Sequence, residues 1–283
     1  MVSFPGTLKK HALRIWCVLI ILALYFPVFC LFVYGFNGGT LALRWEGFSF
    51  RWYASTLTSS DMISALFNSL MVASLSTVIA VSLAFLYAWW AHRSANLRIA
   101  RAADSLVSLP LFIPEIVIAI GLLVLLVRFI KPGMTGLGWS LDSLQSIVIG
   151  HATLAMGYAA LVLRTRFKSY DVVQEFAARD LGANGWNIFT RIMLPQIAPG
   201  LAAAACISFA VSLDDFYVSY FLSTGGSSLK TLPLYIWSLQ GRRAMTPEIN
   251  VVSSFLLVLA LVFFGLGLYL SRSEREKHDA VKG

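Results

Sequence analysis

Apolar residues fill this chain in long runs: Ile15 to Phe36, Ile63 to Ala91, Leu106 to Ile130, about Leu144 to Leu163, about Pro199 to Leu222 and about Ile249 to Leu270. At about 1.5 Å per residue each run can cross the ~30 Å hydrocarbon core of a bilayer as a helix. The pattern predicts an all-α polytopic membrane protein with six transmembrane helices, a single transmembrane domain over residues 1–283. The first run follows Lys9, Lys10 and Arg14 as a signal peptide would. It is too long for one, and the chain after it is equally apolar. Pro27 should bend it, and Pro110 and Pro114 should kink the third run beside Glu115. Between the first two runs, Trp45, Phe48, Trp52 and Tyr53 have the aromatic spacing of an anchor at the membrane-water boundary. His92, Arg93, Arg98 and Arg101 make a short basic loop after the second run.

One long polar stretch, Asp171 to Pro195, separates two apolar runs, and it is amphipathic. Val172 and Phe176, like Val173 and Ala177, repeat at i, i+4, while Trp186, Phe189 and Met193 repeat at i, i+3, i+7. These periods predict two short helices hinged at Gly182. Glu175 and Arg179 can pair on the first helix, and Pro195 is expected to stop the second. Two short helices joined at a flexible residue can dock as an elbow on another protein, or lie on the membrane surface.

Composition strengthens the membrane reading. The 283 residues are 58% hydrophobic and 13% charged, too little polar surface for a soluble protein. A net charge of +8 could suggest nucleic acid, but no basic face with interleaved aromatics accompanies it. The cations instead report topology. With six spans, one side holds fifteen: Lys9, Lys10, Arg14, Arg93, Arg98, Arg101, Arg164, Arg166, Lys168, Arg179, Arg191, Arg272, Arg275, Lys277 and Lys282. The other holds seven: Arg44, Arg51, Arg128, Lys131, Lys230, Arg242 and Arg243. The excess makes the first side, with both termini and the stretch 171–195, cytoplasmic. Cys17, Cys30 and Cys206 stand alone in apolar segments and read as packing residues.

Within the fifth run lies Ser212-Leu213-Asp214-Asp215, roughly 20 Å from the start of that span. An Asp facing lipid at a helix centre costs about 2.5 to 3.5 kcal/mol, so at least one must face a cavity or a partner. Successive helical residues point roughly 100° apart, which lets one Asp face a pathway while the other bonds to nearby backbone. Glu115 is a candidate for the same cavity. Ser212 and Asp215 could also form a capping box where the helix breaks and restarts. His151 reads as a satisfied core residue or as cavity lining, and Tyr217 and Trp237 as packing or as a stack for a cation.

The segment Phe176-Ala177-Ala178-Arg179-Asp180-Leu181-Gly182, followed by Leu194-Pro195, resembles the coupling loop of ABC importer permeases, whose pattern is E-A-A-x-x-x-G and then L-P. Phe176 stands where that pattern has Glu, and Glu175 lies one residue earlier. Ser212 to Phe216, Trp52-Tyr53, Pro114-Glu115 and Thr246-Pro247-Glu248-Ile249-Asn250 are similar to the spermidine/putrescine permease subunits of that family. The resemblance implies a permease subunit of the bacterial inner membrane with no catalytic centre and no metal. It implies two ATPase subunits that bind ATP and Mg, a second permease subunit and a periplasmic substrate-binding protein. Glu175, Phe176, Ala177, Ala178, Asp180, Gly182 and Pro195 would couple to the ATPase, and Asp214, Asp215, Glu115 and Tyr217 would line the substrate pathway. The chain has no Gly-Lys-Ser/Thr phosphate loop, so another chain must hydrolyse ATP. Two other classes compete. A membrane-embedded enzyme holding a metal at the Asp pair needs a second acidic cluster, and none stands in a cytoplasmic loop. A passive channel would not need an elbow.

Overall fold

The computed structural model describes residues 6–130, 143–223, 229–241 and 245–282. Lys131, Arg242 and Arg243, counted above for topology, lie outside these. In chain order the helices are α1 (Gly6–Tyr34), α2 (Arg51–Leu57), α3 (Ser60–Arg93), α4 (Leu97–Ser108), α5 (Glu115–Leu125), α6 (Ser143–Lys168), α7 (Val173–Asp180), α8 (Gly185–Ile188), α9 (Leu194–Asp214), α10 (Tyr217–Leu222), α11 (Leu232–Gln240) and α12 (Glu248–Lys282). No strand forms among the described residues. A single β-bridge joins Asn37 to Phe48.

Among the described residues, four helices are long and apolar enough to cross a membrane unaided: Leu13–Tyr34, Ser60–Arg93, Ser143–Lys168 and Gly185–Asp214. Glu248–Phe263, the apolar part of α12, is shorter. The run read as one kinked third span is a broken pair instead, Leu97–Leu111 and Glu115–Ile130, bent by 104°. Proline chemistry accounts for the difference. Ile113 precedes a proline and is pushed away from helical angles, and Pro114 itself is extended at φ −55°, ψ 133°. The expected basic loop is also mostly helix. Asn96 accepts bonds from the backbone N–H groups of Arg98 and Ile99 and starts α4, which carries Arg98 and Arg101.

Pro195 does not stop the helix it was expected to stop. α8, a π-helical turn at Phe189–Met193 and α9 run on as one helix from Gly185 to Asp214. A turn with i→i+5 bonding just before Pro195 re-registers the backbone, so the missing proline N–H and the ring are accommodated. α1 contains Pro27 within one continuous helix.

The chain forms two compact units. Residues 1–63 and 236–257 make the first. Its loop is organised by buried Asn37, whose amide donates to the Leu41 and Arg44 carbonyls and accepts from the Gly39 and Glu46 N–H groups. Four bonds close the turn around one side chain and leave none of its polar atoms unpaired. Trp52 Nε1 donates to the Gly39 carbonyl at 2.8 Å, and Phe36 stacks on Phe48 and Tyr53. The expected aromatic segment is thus a hydrogen-bonded turn followed by the short helix α2, which carries Trp52 and Tyr53, with Trp45 and Phe48 left exposed.

Residues 64–235 and 258–283 make the second unit, with α6 at its centre. One apolar cluster packs Ala84 and Ala88 of α3 with Ala159, Leu163 and Phe167 of α6 and with Ile197 and Ala204 of α9. Another joins Val72, Ala119, Ile147, Val218 and Leu222. Alanine and glycine at these crossings let helix axes approach where apolar area alone drives no association in lipid. Gly150 touches Val218 and Leu222, and Gly200 lies under the stem of Arg166. α10 packs on both α5 and α6.

Candidate functional site

Two places in the second unit carry the residues singled out above. The first is the break between α9 and α10. α9 ends at Asp214, Asp215 is extended at φ −67°, ψ 120°, and α10 restarts at Tyr217. The cap of the restarted helix is not Ser212, as expected, but Asp215, whose Oδ2 accepts from the Ser219 N–H at 3.1 Å. Ser212 still lies inside α9, where its hydroxyl meets His151 Nδ1 at 2.8 Å. His151 Nε2 lies 2.9 Å from Ser219 Oγ and 3.2 Å from Asp215 Oδ2. His151 is thus a satisfied core residue, with both ring nitrogens engaged.

The two aspartates divide. Asp215 is buried and turned to His151 and to backbone, while Asp214 is exposed. Glu115, also exposed, is the first residue of α5, which packs on α10, the helix that Asp215 caps. Three carboxylates separated by 99 and 100 positions in the chain therefore share one region. Tyr217 is 41% exposed beside them, packed edge-on against Phe216. Trp237 belongs to the other unit.

The second place is the polar stretch after α6. Its first short helix and its hinge stand as read, whereas the second continues through the π turn into α9. Gly182 has φ +82°, its N–H bonds to the Arg179 carbonyl, and the Ala183 N–H reaches back to the Ala178 carbonyl at 2.9 Å. This is a left-handed helix terminus that glycine adopts without strain. Asn184 then caps α8 through the Asn187 N–H. What the periodicity did not reveal is which face points inward. The one buried residue of α7 is Glu175, whereas Val173 and Phe176 are exposed, as are Leu181 at 90% and Trp186 at 70%. Ala177, Asp180 and Pro195 are exposed as well, and Ala178 is half-buried.

Glu175 does not pair with Arg179 as expected. Both its oxygens lie against Arg93 Nη2, at 2.7 and 2.6 Å, and the Tyr170 hydroxyl donates to Oε1 at 2.8 Å. Burial, and then that bond to the carboxylate, push the Tyr170 phenol well above its ordinary value, so it remains a donor. A second buried-edge network ties α4 to α6. Arg164 grips Asp104 with two bonds, at 2.7 and 2.8 Å, and Tyr87 of α3 donates to the same carboxylate. Sequence reasoning missed the Arg93 and Asp104 contacts because their partners are remote in the chain, and the Tyr170 contact, only five positions from Glu175, because it crosses the turn between α6 and α7 where no helical period applies. The available signal was Glu175 itself, an acid three residues after Val172 on the face that packs into the core.

Acids persist at membrane depth only where a pathway or a partner faces them. An apolar elbow outside the membrane-length helices persists only where another molecule covers it. Both features fit the membrane permease subunit of an importer driven by a separate soluble subunit. The chain belongs to the family of binding-protein-dependent transport system inner membrane components, whose pattern it matches over residues 80–275. It is 31% identical to the putrescine transport system permease protein PotI of Escherichia coli over 268 residues, 93% of each chain. It is 33% identical to the spermidine/putrescine transport system permease protein PotC of the same organism, over 84% of this chain and 86% of that one. The fold is similar to that of a chain in a bacterial alginate ABC transporter crystallised with its pentasaccharide-bound periplasmic protein, with a TM-score of 0.68 at 20% identity over 94% of both chains. This chain is accordingly an inner-membrane transport subunit, and ATP is used by a partner ATPase.

Proposed function

We propose that the chain is the permease subunit of a polyamine importer, carrying putrescine or spermidine. Its assembly would hold two ATPase subunits, a second permease subunit and a periplasmic binding protein. Six spans would form one transmembrane domain with both termini cytoplasmic, the sixth being the α12 helix and the third the broken pair. The exposed carboxylates of Asp214 and Glu115 beside the break carry this reading, together with full-length similarity to permeases named for putrescine and spermidine. A polyamine is a flexible polycation, and an unpaired ammonium in low dielectric costs several kcal/mol, so its path needs opposite charge. Asp214 and Glu115 supply it from two helices, with Tyr217 offering a ring face. Asp215, whose Oδ2 is engaged by His151 and the α10 backbone, shapes the break and adds its charge to the same path.

The elbow would be the drive. Val173, Phe176, Leu181 and Trp186 form an apolar surface suited to a groove on the ATPase, with Ala177, Ala178 and Asp180 beside it and Gly182 setting the angle. Phe176 at the position where the family pattern has Glu makes that contact apolar here. Closure of the ATPases on ATP would move the elbow, and the attached helices would switch the cavity between outward and inward access.

Uptake by the assembled complex in vesicles, measured against putrescine, spermidine, other organic cations and an anion, tests the substrate. Competition by polyamines alone supports the reading. Uptake of another cation or a small organic solute in their place leaves the importer subunit with a different cargo, and uptake of an anion removes the cation pathway.

A further inference from the structure

α7 is eight residues long, too short to hold its helical form or its place by itself. Its apolar residues Val173 and Phe176 face outward, so apolar packing does not fasten it either, apart from half-buried Val172 at its start. Its one buried residue is a carboxylate, Glu175. That carboxylate is gripped by the last residue of α3, Arg93, and by Tyr170, two residues beyond α6. The Arg93 guanidinium in turn lies over the Trp89 ring at 5.2 Å, which fixes its orientation on α3. The neighbouring Gln174 accepts from Gln196 of α9 at 2.6 Å, but this bond is exposed to water and weaker as a tether.

We propose that Arg93 and Tyr170 are positioning residues for coupling: through Glu175 they join α7 rigidly to the ends of α3 and α6, so that force on the elbow reaches both membrane helices together. The proposal rests on the reading that the elbow docks on the ATPase. Arg93 Nη2 set against both oxygens of a buried carboxylate, with the Tyr170 phenol on one of them, makes three short charge-assisted contacts that resist displacement better than a solvent-exposed pair does. Displacement of α7 by the partner therefore cannot be absorbed at this joint. It must move α3 and α6, which also carry much of the apolar core. Without Arg93 the eight-residue helix could swing at Gly182 while the membrane helices stay still.

The test measures uptake and ATP hydrolysis by the complete complex in vesicles, each per assembled complex. In Arg93→Gln, uptake per ATP hydrolysed is expected to fall by about fivefold or more, the usual size of a coupling effect. Tyr170→Phe, which removes one bond and no volume to speak of, should lower the same ratio by a smaller factor, and Arg93→Lys should recover part of the loss. A merely structural role would lower uptake and hydrolysis in parallel and leave their ratio alone. An unchanged ratio in both Arg93→Gln and Tyr170→Phe overturns the proposal. Cross-linking from Phe176→Cys to the ATPase subunit separates the two readings. If that cross-link forms while the ratio is unchanged, the joint alone is wrong; if it never forms in the otherwise native complex, the docking of the elbow is wrong.

Discussion

His151 Nε2 lies 3.2 Å from Asp215 Oδ2, and both side chains are buried, at 1% and 3% exposure. Asp215 also caps α10, so its removal would leave His151, the Ser219 N–H and the helix break without their shared acceptor. Asp215→Ala should cost about 1 to 3 kcal/mol, the usual penalty for leaving buried donors without their acceptor. Thermal unfolding of the detergent-solubilised complex reads this as lost stability and lost yield. A variant as stable as the native protein would show that the pair is not structural.

Asp214 and Glu115 should behave differently, because they are exposed and cap nothing that the structure records. Asp214→Asn or Glu115→Gln is expected to lower polyamine uptake at least about tenfold, equivalent to ~1.4 kcal/mol at the limiting step. Assembly and ATP hydrolysis should persist. Native uptake in both variants would remove these acids from the pathway.

At Gly182 nothing lies within 4 Å of where a Cβ would be, so substitution there is a matter of backbone strain and not of space. Gly182→Val forces a β-branched residue to φ +82° and should cost about 1 to 2 kcal/mol or unwind the end of α7. Uptake should fall with the subunit still inserted. Gly182→Asn, which tolerates left-handed angles, should retain most uptake; equal loss in both variants would refute the conformational argument.

Gly150 is the opposite case. A Cβ there would overlap Val218 Cγ1 and Leu222 Cδ1, pressing α10 away from α6. Gly150→Ala should destabilise by about 1 to 3 kcal/mol. Gly121→Ala, with nothing within 4 Å of the added methyl, serves as the matched control on α5 and should leave the melting temperature in place.

Topology is open to a direct check. A reporter placed at Ala95-Asn96 or after Lys282 should read cytoplasm, and one at Lys230 should read periplasm. A periplasmic signal from Ala95-Asn96 would sink the six-span arrangement.

Hydrophobic runs and charge placement by themselves determined that the chain is helical and crosses a membrane, because burying a helix in lipid depends only on local length and apolarity. The hinge at Gly182 and the helix break near Asp214 were legible for the same reason, as backbone effects written in neighbouring residues. Pro114 was legible as a disturbance but not as a 104° bend, and Pro195 misled, since the π turn Phe189–Met193 absorbs a proline that local rules treat as a stop. Only the tertiary structure decided which acid does what. Asp214 and Asp215 are chemically identical neighbours, and what separates them is His151, 64 positions before the latter, meeting one and not the other. Glu175 likewise has an eligible partner four residues away in Arg179, yet it is bound to Arg93, 82 positions earlier. Periodicity specifies that a helix has two faces, but which face turns inward depends on what the rest of the chain brings against it. Here that was an arginine and a tyrosine, which drew the carboxylate inward and left the apolar side of the elbow to face out.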